Sequence, residues 1–130
     1  MLGTAPVTAF LAITDSSRAS LFYCDALGLR RVYEDDFALV LDAHGVELRL
    51  QKVPAFTPQP FTALGWRVQD IEATVSEIAE NGVAVERFAG VPQDEEGIWS
   101  APSGARIAWF RDPDGNLLSV AQYPGETQPR

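Results

Sequence analysis

The residues best placed to do chemistry are three polar side chains that alternate along one short segment. Glu47, Arg49 and Gln51 are each separated by a single residue, and alternate residues of a β-strand point to the same face of its sheet. On one face the carboxylate and the guanidinium can pair, and the three groups can form the polar floor of a binding site. Glu47 is the only catalytic candidate, as a general acid or base, and no second group completes a mechanism. The alternative is that all three face solvent on an open antiparallel sheet.

Other reactive residue types are scarce. The only histidine, His44, lies in the sequence Asp-Ala-His-Gly at 42–45, which is typical of an exposed hairpin turn. The single cysteine, Cys24, falls inside a helical pattern, which favours a packed thiol over a reactive one. The sequence has no nucleophile elbow, no phosphate loop and no Cys-x-x-Cys pair. We therefore expect no hydrolytic triad and no intrachain disulfide.

The elements that must position these groups occur twice. A strand at 7–13 leads into Asp15, an amphipathic helix and Gly28, and a second strand at 62–68 leads into Asp70, another helix and Gly82. Asp can cap the start of each helix and Gly can close its end. Each half finishes with a hairpin, which turns at 42–45 in the first and at 112–115 in the second. This repeat predicts an α+β fold of two β-α-β-β-β modules that form a half-open barrel or cup.

The boundaries follow from the same pattern. We predict one domain, with a first module at about 5–52, a proline-rich linker at 53–60, a second module at about 61–123 and a frayed tail at 124–130. The remaining predicted strands are 29–34, 37–41 and 46–51 in the first module, and 83–88, 106–111 and 117–123 in the second. An insertion at 89–104 distinguishes the second module, and loops of that length are usually functional or mobile.

Pairing across the two hairpins predicts which residues face the cup. In the first module Leu39, Leu41, Leu48 and Leu50 share the face under the helix, which leaves Val40 with Glu47, Arg49 and Gln51 on the cup face. In the second, a four-residue loop at 112–115 places Trp109, Leu118, Val120 and Ile107 under the helix and Phe110, Ala108, Leu117, Ser119 and Ala121 in the cup. The opening strands add Phe10 and Arg67 to the cup face. A slip of one residue inverts any of these assignments.

Two further side chains allow more than one interpretation. Arg67 either contacts a ligand carboxylate or phenolate or pairs with an acidic residue at the rim. Trp99, within the insertion, either closes over an aromatic ligand or packs against the sheet, whereas Trp66 and Trp109 are predicted to lie in the core. The predicted ligand-binding residues are Phe10, Val40, Glu47, Arg49, Gln51, Arg67, Trp99 and Phe110.

Composition excludes some partners. The net charge of −8 and the scattered positions of ten Lys and Arg residues disfavour nucleic-acid binding and anionic membranes. No apolar stretch approaches the roughly 20 residues of a membrane span, and the first residues do not resemble a secretory signal. We expect a cytoplasmic protein.

Several motifs resemble the vicinal oxygen chelate superfamily, which includes glyoxalase I, bleomycin-resistance proteins and extradiol dioxygenases. They are the helix start from Asp15 to Gly28, the repeated Val68-Gln69-Asp70-Ile71 and, above all, the block from Ala108 to Leu118. The resemblance covers roughly residues 5–123 and implies the cup fold and a homodimer. Metal-using members hold a divalent ion, and the resemblance implies that its ligand positions correspond here to Thr8, Ala63 and Ser119. Glu47 resembles the one retained ligand, but strict alignment of the two turns puts Arg49 at that position instead.

Methyl groups cannot coordinate a metal, and a lone hydroxyl is a poor ligand. We therefore predict no metal and no cofactor, and metal-independent binding of a small apolar or aromatic molecule, for sequestration or an unknown conversion. The alternative is a metal-dependent lyase, isomerase or dioxygenase with an atypical site at Glu47. A third hypothesis is an interaction module whose cleft is filled by its own side chains. The sequence leaves open whether any reaction is catalysed.

Overall fold

The repeat seen in the sequence is present in the computed structural model, which describes residues 1–125. The chain divides into a first unit, Met1–Pro58, and a second unit that begins at Gln59. Each described unit contains a four-stranded mixed sheet and a helical segment, so the predicted α+β class is confirmed. The predicted tail from residue 126 onward lies outside the described residues. No helix within residues 1–125 is long and apolar enough to cross a membrane.

In the first unit a short 3₁₀ helix precedes a sheet with the strand order β1-β4-β3-β2. Strand β1 pairs in parallel with β4, and the other pairs are antiparallel. The elements are a 3₁₀ helix Leu2–Thr4, β1 Thr8–Ile13, α1 Ser16–Ser20, a π-helix Leu21–Ala26, β2 Arg30–Glu34, β3 Ala38–Ala43 and β4 Val46–Lys52.

The second unit repeats this arrangement with the order β5-β8-β7-β6. Its elements are β5 Leu64–Arg67, α2 Ile71–Glu80, β6 Trp99–Ser100, β7 Arg106–Arg111 and β8 Leu117–Gln122. The prediction of a strand at 83–88 was wrong, because that segment makes only a single β-bridge, between Val85 and Phe110. The fourth strand of this sheet is instead β6, inside the insertion.

Both helices begin where the sequence predicts. Asp15 accepts a hydrogen bond from the Arg18 amide at 3.1 Å, and Asp70 accepts one from the Ala73 amide at 3.0 Å, so each carboxylate satisfies an otherwise unpaired amide of the first turn. The first helix is not α-helical throughout, because its second half, Leu21–Ala26, is a π-helix. That wider turn still buries Tyr23 completely.

The first hairpin has the predicted division of faces. Ala43 pairs with Val46, so the loop is the two residues His44 and Gly45, which both have positive φ, 52° and 89°. Positive φ at both positions is the type I′ geometry that matches the twist of paired strands. Leu41 therefore lies opposite Leu48, and both belong to the fully buried core.

The second hairpin corrects the predicted register by one residue. Arg111 pairs with Leu117 and Phe110 with Leu118, because the connection is a three-residue loop in which the Asp112 amide donates to the Asn116 carbonyl at 3.0 Å. Because one residue of slip exchanges the faces of a strand, β7 presents Phe110 to the helix side and Trp109 to the opposite side. Strand β8 keeps its predicted faces.

Candidate functional site

A row of four side chains crosses the exposed face of the first sheet. Phe10 on β1 lies opposite Arg49 on β4, Arg49 lies opposite Val40 on β3, and Val40 lies opposite Tyr33 on β2. Rows to either side add Glu47 and Gln51, which have the same parity as Arg49. The structure thus brings together five of the predicted ligand-binding residues, namely Phe10, Val40, Glu47, Arg49 and Gln51.

Arg49 organises this face. Its Nη1 donates to the Tyr33 hydroxyl at 3.0 Å and contacts the Glu47 carboxylate at 3.2 Å. To reach Tyr33 its side chain must extend across β3, and Val40 on that strand is only 1% exposed. Val40 is therefore a covered support in this conformation rather than an open wall. The hydrogen bond to Tyr33 and, to a smaller extent, that to Glu47 raise the pKa of the Arg49 guanidinium.

Two phenylalanine rings border the same face. Phe10 is 60% exposed and Phe37 is 75% exposed, and a pocket of about 230 Å³ lies among Phe10, Phe37, Ala38, Arg49, Gln51 and Lys52. We call this the first-unit pocket. The segment before Ala38 is held by Asp35, whose carboxylate accepts hydrogen bonds from the amides of Phe37 at 2.8 Å and Ala38 at 2.9 Å. Those two hydrogen bonds lower the pKa of Asp35.

Lys52, also at this pocket, is held by acidic partners. Its Nζ lies 2.7 Å from a Glu34 carboxylate oxygen and donates to the Asp35 carbonyl at 2.7 Å. Hydrogen bonds from Lys52, Ser16 and Arg31 lower the pKa of Glu34 to about 2. Tyr33, Phe37 and Lys52 were not among the residues predicted from the sequence. The Asp two residues before Phe37 was a detectable signal, because Asp in that position commonly caps a turn.

In the second unit the candidate ligand-binding residues lie on both faces of the sheet. Arg67 lies on the same face as Ser119 and Trp109, and its guanidinium carbon lies 4.4 Å from the centre of the Tyr123 ring, an aromatic contact that neither interpretation of Arg67 included. Trp99 pairs with Ile107 in β6, and its ring centre is 5.9 Å from that of Trp109. Both tryptophans are half-buried, so the prediction of Trp109 as core was wrong.

Phe110 lies on the other side of that sheet. It is 1% exposed and stacks on Trp66, with 6.2 Å between ring centres. Arg106 and Gln122, which share its parity, contact the start of α2, through Glu72 at 2.9 Å and the Ile71 amide at 2.9 Å. Phe110 was predicted to be a pocket wall because the predicted register of the second hairpin was wrong by one residue. The observed register makes Phe110 a core residue.

Few metal-ligating side chains stand at the positions that the family resemblance assigns to metal ligands. Ser119 lies opposite Gly65 in the second sheet, as Arg49 lies opposite Phe10 in the first, and each is four residues beyond the glycine of its turn. Arg49, not Glu47, therefore occupies the position equivalent to Ser119, and Glu47 is paired with Arg49. Ser119 Oγ lies only 2.7 Å from where a Cβ on residue 65 would be. Among residues 1–125 no three His, Cys, Asp or Glu side chains are grouped to hold an ion.

The repeated fold agrees with a match between the sequence and one family model. The family model described as the Glyoxalase/Bleomycin resistance protein/Dioxygenase superfamily matches residues 5–120, and the chain belongs to that superfamily. No curated protein sequence matches the chain.

Solved structures share the fold. A superfamily member from Sphaerobacter thermophilus has a TM-score of 0.73 at 20% identity, with 94% of this chain and 99% of that chain covered. A lactoylglutathione lyase from Agrobacterium tumefaciens has a TM-score of 0.66 at 21% identity, covering 92% and 93%. The fosfomycin resistance protein FosX from Listeria monocytogenes has a TM-score of 0.72 at 12% identity, again covering 92% and 93%. At these identities the likeness concerns the fold alone.

Proposed function

We propose that this protein binds a small apolar or aromatic molecule without a metal ion, and that the first-unit pocket is the binding site. The observation that carries the proposal is the placement of two exposed phenylalanine rings beside a hydrogen-bonding guanidinium on one sheet face. Aromatic walls with a few convergent polar groups are typical of small-molecule sites. Sequestration needs no further group, and a conversion at Glu47 would need a second acid or base.

The size of the pocket limits its ligand. At about 230 Å³ it is smaller than the roughly 300–1,000 Å³ of pockets for drug-sized ligands, so it suits a single aromatic ring or one end of a larger molecule. Both described hydrogen bonds of Arg49 use Nη1. Its Nε and Nη2, together with the Gln51 amide, supply the donors for an oxygen on that ring.

Titration calorimetry with single-ring probes tests the proposal. We expect 4-hydroxybenzyl alcohol to bind and cyclohexanemethanol to bind at least tenfold more weakly. Phe10→Ala removes one wall, and losing the contact of a buried aromatic side chain costs about 1.5–3 kcal/mol, roughly 10–100-fold in affinity. Phe61→Ala is the matched control, because Phe61 is also 60% exposed and lies outside the pocket lining.

Metal dependence separates this proposal from the lyase, isomerase or dioxygenase alternative. We expect binding of the probe to survive dialysis against a chelator, and added Ni²⁺, Zn²⁺ or Mn²⁺ to leave the melting temperature unchanged. Loss of binding that a metal restores would support the alternative. If none of a panel of small molecules stabilises the protein, the interaction-module hypothesis is favoured.

The homodimer and the cytoplasmic location implied earlier stay predictions. Leu2 and Val7 are strongly exposed, and covering them would favour self-association. Light scattering on the purified protein measures the oligomeric state directly.

A further inference from the structure

We propose that the second unit carries a separate binding site for an uncharged, planar aromatic molecule. The site is a pocket of about 420 Å³ lined by Gly90, Val91, Pro92, Trp99 and Trp109, which we call the tryptophan pocket. Its lining residues all belong to the second unit, and none of them lines the first-unit pocket. The proposal therefore does not depend on the function proposed above.

Size and lining chemistry define the ligand. The volume lies within the roughly 300–1,000 Å³ of small-molecule pockets, and none of the five lining side chains carries a charge. A charged group buried there would lose its water without gaining a partner, which is costly. Two indole rings favour contact with another aromatic ring through offset or edge-to-face geometry. A neutral molecule of two fused rings satisfies all three conditions.

The two indole rings are held in place without a ligand. Trp109 donates from Nε1 to the Thr62 hydroxyl at 3.2 Å, and the Phe88 ring meets it edge-on at 5.5 Å. Trp99 pairs through its backbone with Ile107 on one side and bridges to Gln93 on the other. The rings are inclined by 31° with centres 5.9 Å apart, so they do not stack flat on each other. Part of each indole ring therefore remains available for contact with the aromatic ring of a ligand.

The insertion that supplies the other wall is also fixed. The Gln93 side chain accepts a hydrogen bond from the Phe88 amide at 2.8 Å and donates to the carbonyls of Glu86 at 2.8 Å and Gly97 at 2.7 Å. Arg87 adds a hydrogen bond to the Asp94 carbonyl at 2.7 Å. These contacts tie both sides of the loop around residues 90–92. A wall ordered in advance removes the entropy cost that a loop would otherwise pay on binding.

The test uses calorimetry with four matched probes: 1-naphthalenemethanol, 1-naphthylmethylamine, 1-naphthoate and cyclohexanemethanol. We expect the neutral naphthalene to bind, and the charged and saturated probes to bind at least tenfold more weakly. Tighter binding of the amine or the carboxylate would overturn the assignment of an uncharged ligand. Absence of heat with all the naphthalenes up to their solubility limits would overturn the site.

Variants locate the bound probe. Trp99→Ala should weaken the neutral naphthalene at least tenfold, whereas Phe61→Ala, at an exposed ring outside both pockets, should leave it unchanged. Trp99→Phe keeps a ring and should cost roughly two- to fivefold, and Val91→Asp, which introduces a charge into the wall, should abolish binding. Circular dichroism checks that each variant is folded. If the Trp99 and Val91 variants bind like wild type, the tryptophan pocket is not the site, and loss in Phe10→Ala would transfer the probe to the first-unit pocket.

Discussion

The two units share a scaffold and differ in what their open faces carry. In the first, a row of Phe10, Arg49, Val40 and Tyr33 crosses the sheet, with a hydrogen bond from Arg49 to Tyr33, and the hairpins are short. In the second, the corresponding face carries Trp109 and Ser119, and the insertion adds Trp99. The same strand order thus presents a face with a hydrogen-bonded guanidinium in one unit and a face with two indole rings in the other. Fold alone does not specify which chemistry a unit performs.

The largest expected effect is a difference in the free energy of unfolding between variants of two phenylalanines that were both predicted to bind a ligand. Phe110→Ala should lower the free energy of unfolding by about 3–5 kcal/mol, because it empties a fully buried site beside Trp66. Phe10→Ala should change it by less than about 0.5 kcal/mol, as is usual for exposed positions. Urea denaturation measures both. Equal effects would contradict the register of the second hairpin.

A second comparison concerns two glutamines, one in each unit. Gln93→Ala should lower the unfolding free energy by about 2 kcal/mol, because three backbone groups of the insertion lose their partner. Gln51→Ala removes an exposed side chain and should cost less than about 0.5 kcal/mol. The same denaturation experiment applies. A neutral Gln93→Ala would show that the insertion is held by other contacts.

A third prediction is specific to the first unit and depends on pH. Because the folded pKa of Glu34 is lowered from 4.5 to about 2, its charged form stabilises the fold above the unfolded value, and that contribution is lost as pH falls through the folded one. Glu34→Gln should cost about 1 kcal/mol near neutral pH, the upper range for partly exposed ion pairs. The difference from wild type should shrink between pH 4.5 and 2. If the stability difference stays constant over that range, the ion pairs of Glu34 are not its cause.

The smallest single effect is expected at His44 in the first hairpin. His44 has a φ of 52°, where Asn is more easily accommodated than most residues. His44→Asn should raise the free energy of unfolding by about 0.5 kcal/mol or less, and Gly45→Ala should lower it by about 1–2 kcal/mol because its φ is 89°. Thermal melts compare the pair, and destabilisation by His44→Asn would argue against a type I′ turn.

Sequence patterns predicted the repeat, the caps at Asp15 and Asp70 and the faces of the first sheet, because each depends on local spacing. They failed where one residue of loop length decides the pairing, as at Asp112 to Asn116, and where a strand is formed by tertiary pairing, as at Trp99. In the candidate site, the pairing of Glu47 with Arg49 was foreseeable from their alternation. The reach of Arg49 across Val40 to Tyr33 was not, because it depends on which strand lies next to which.

The three-residue loop after β7 has a consequence for how such proteins diversify. Lengthening it by a single amino acid would leave every side chain of the strand chemically intact yet exchange the outward indole of Trp109 for the phenyl ring of Phe110. A change in chain length alone can therefore change which aromatic ring the open face presents, and comparisons that score only substitutions would overlook it. The surface chemistry of this architecture can thus evolve through its turns.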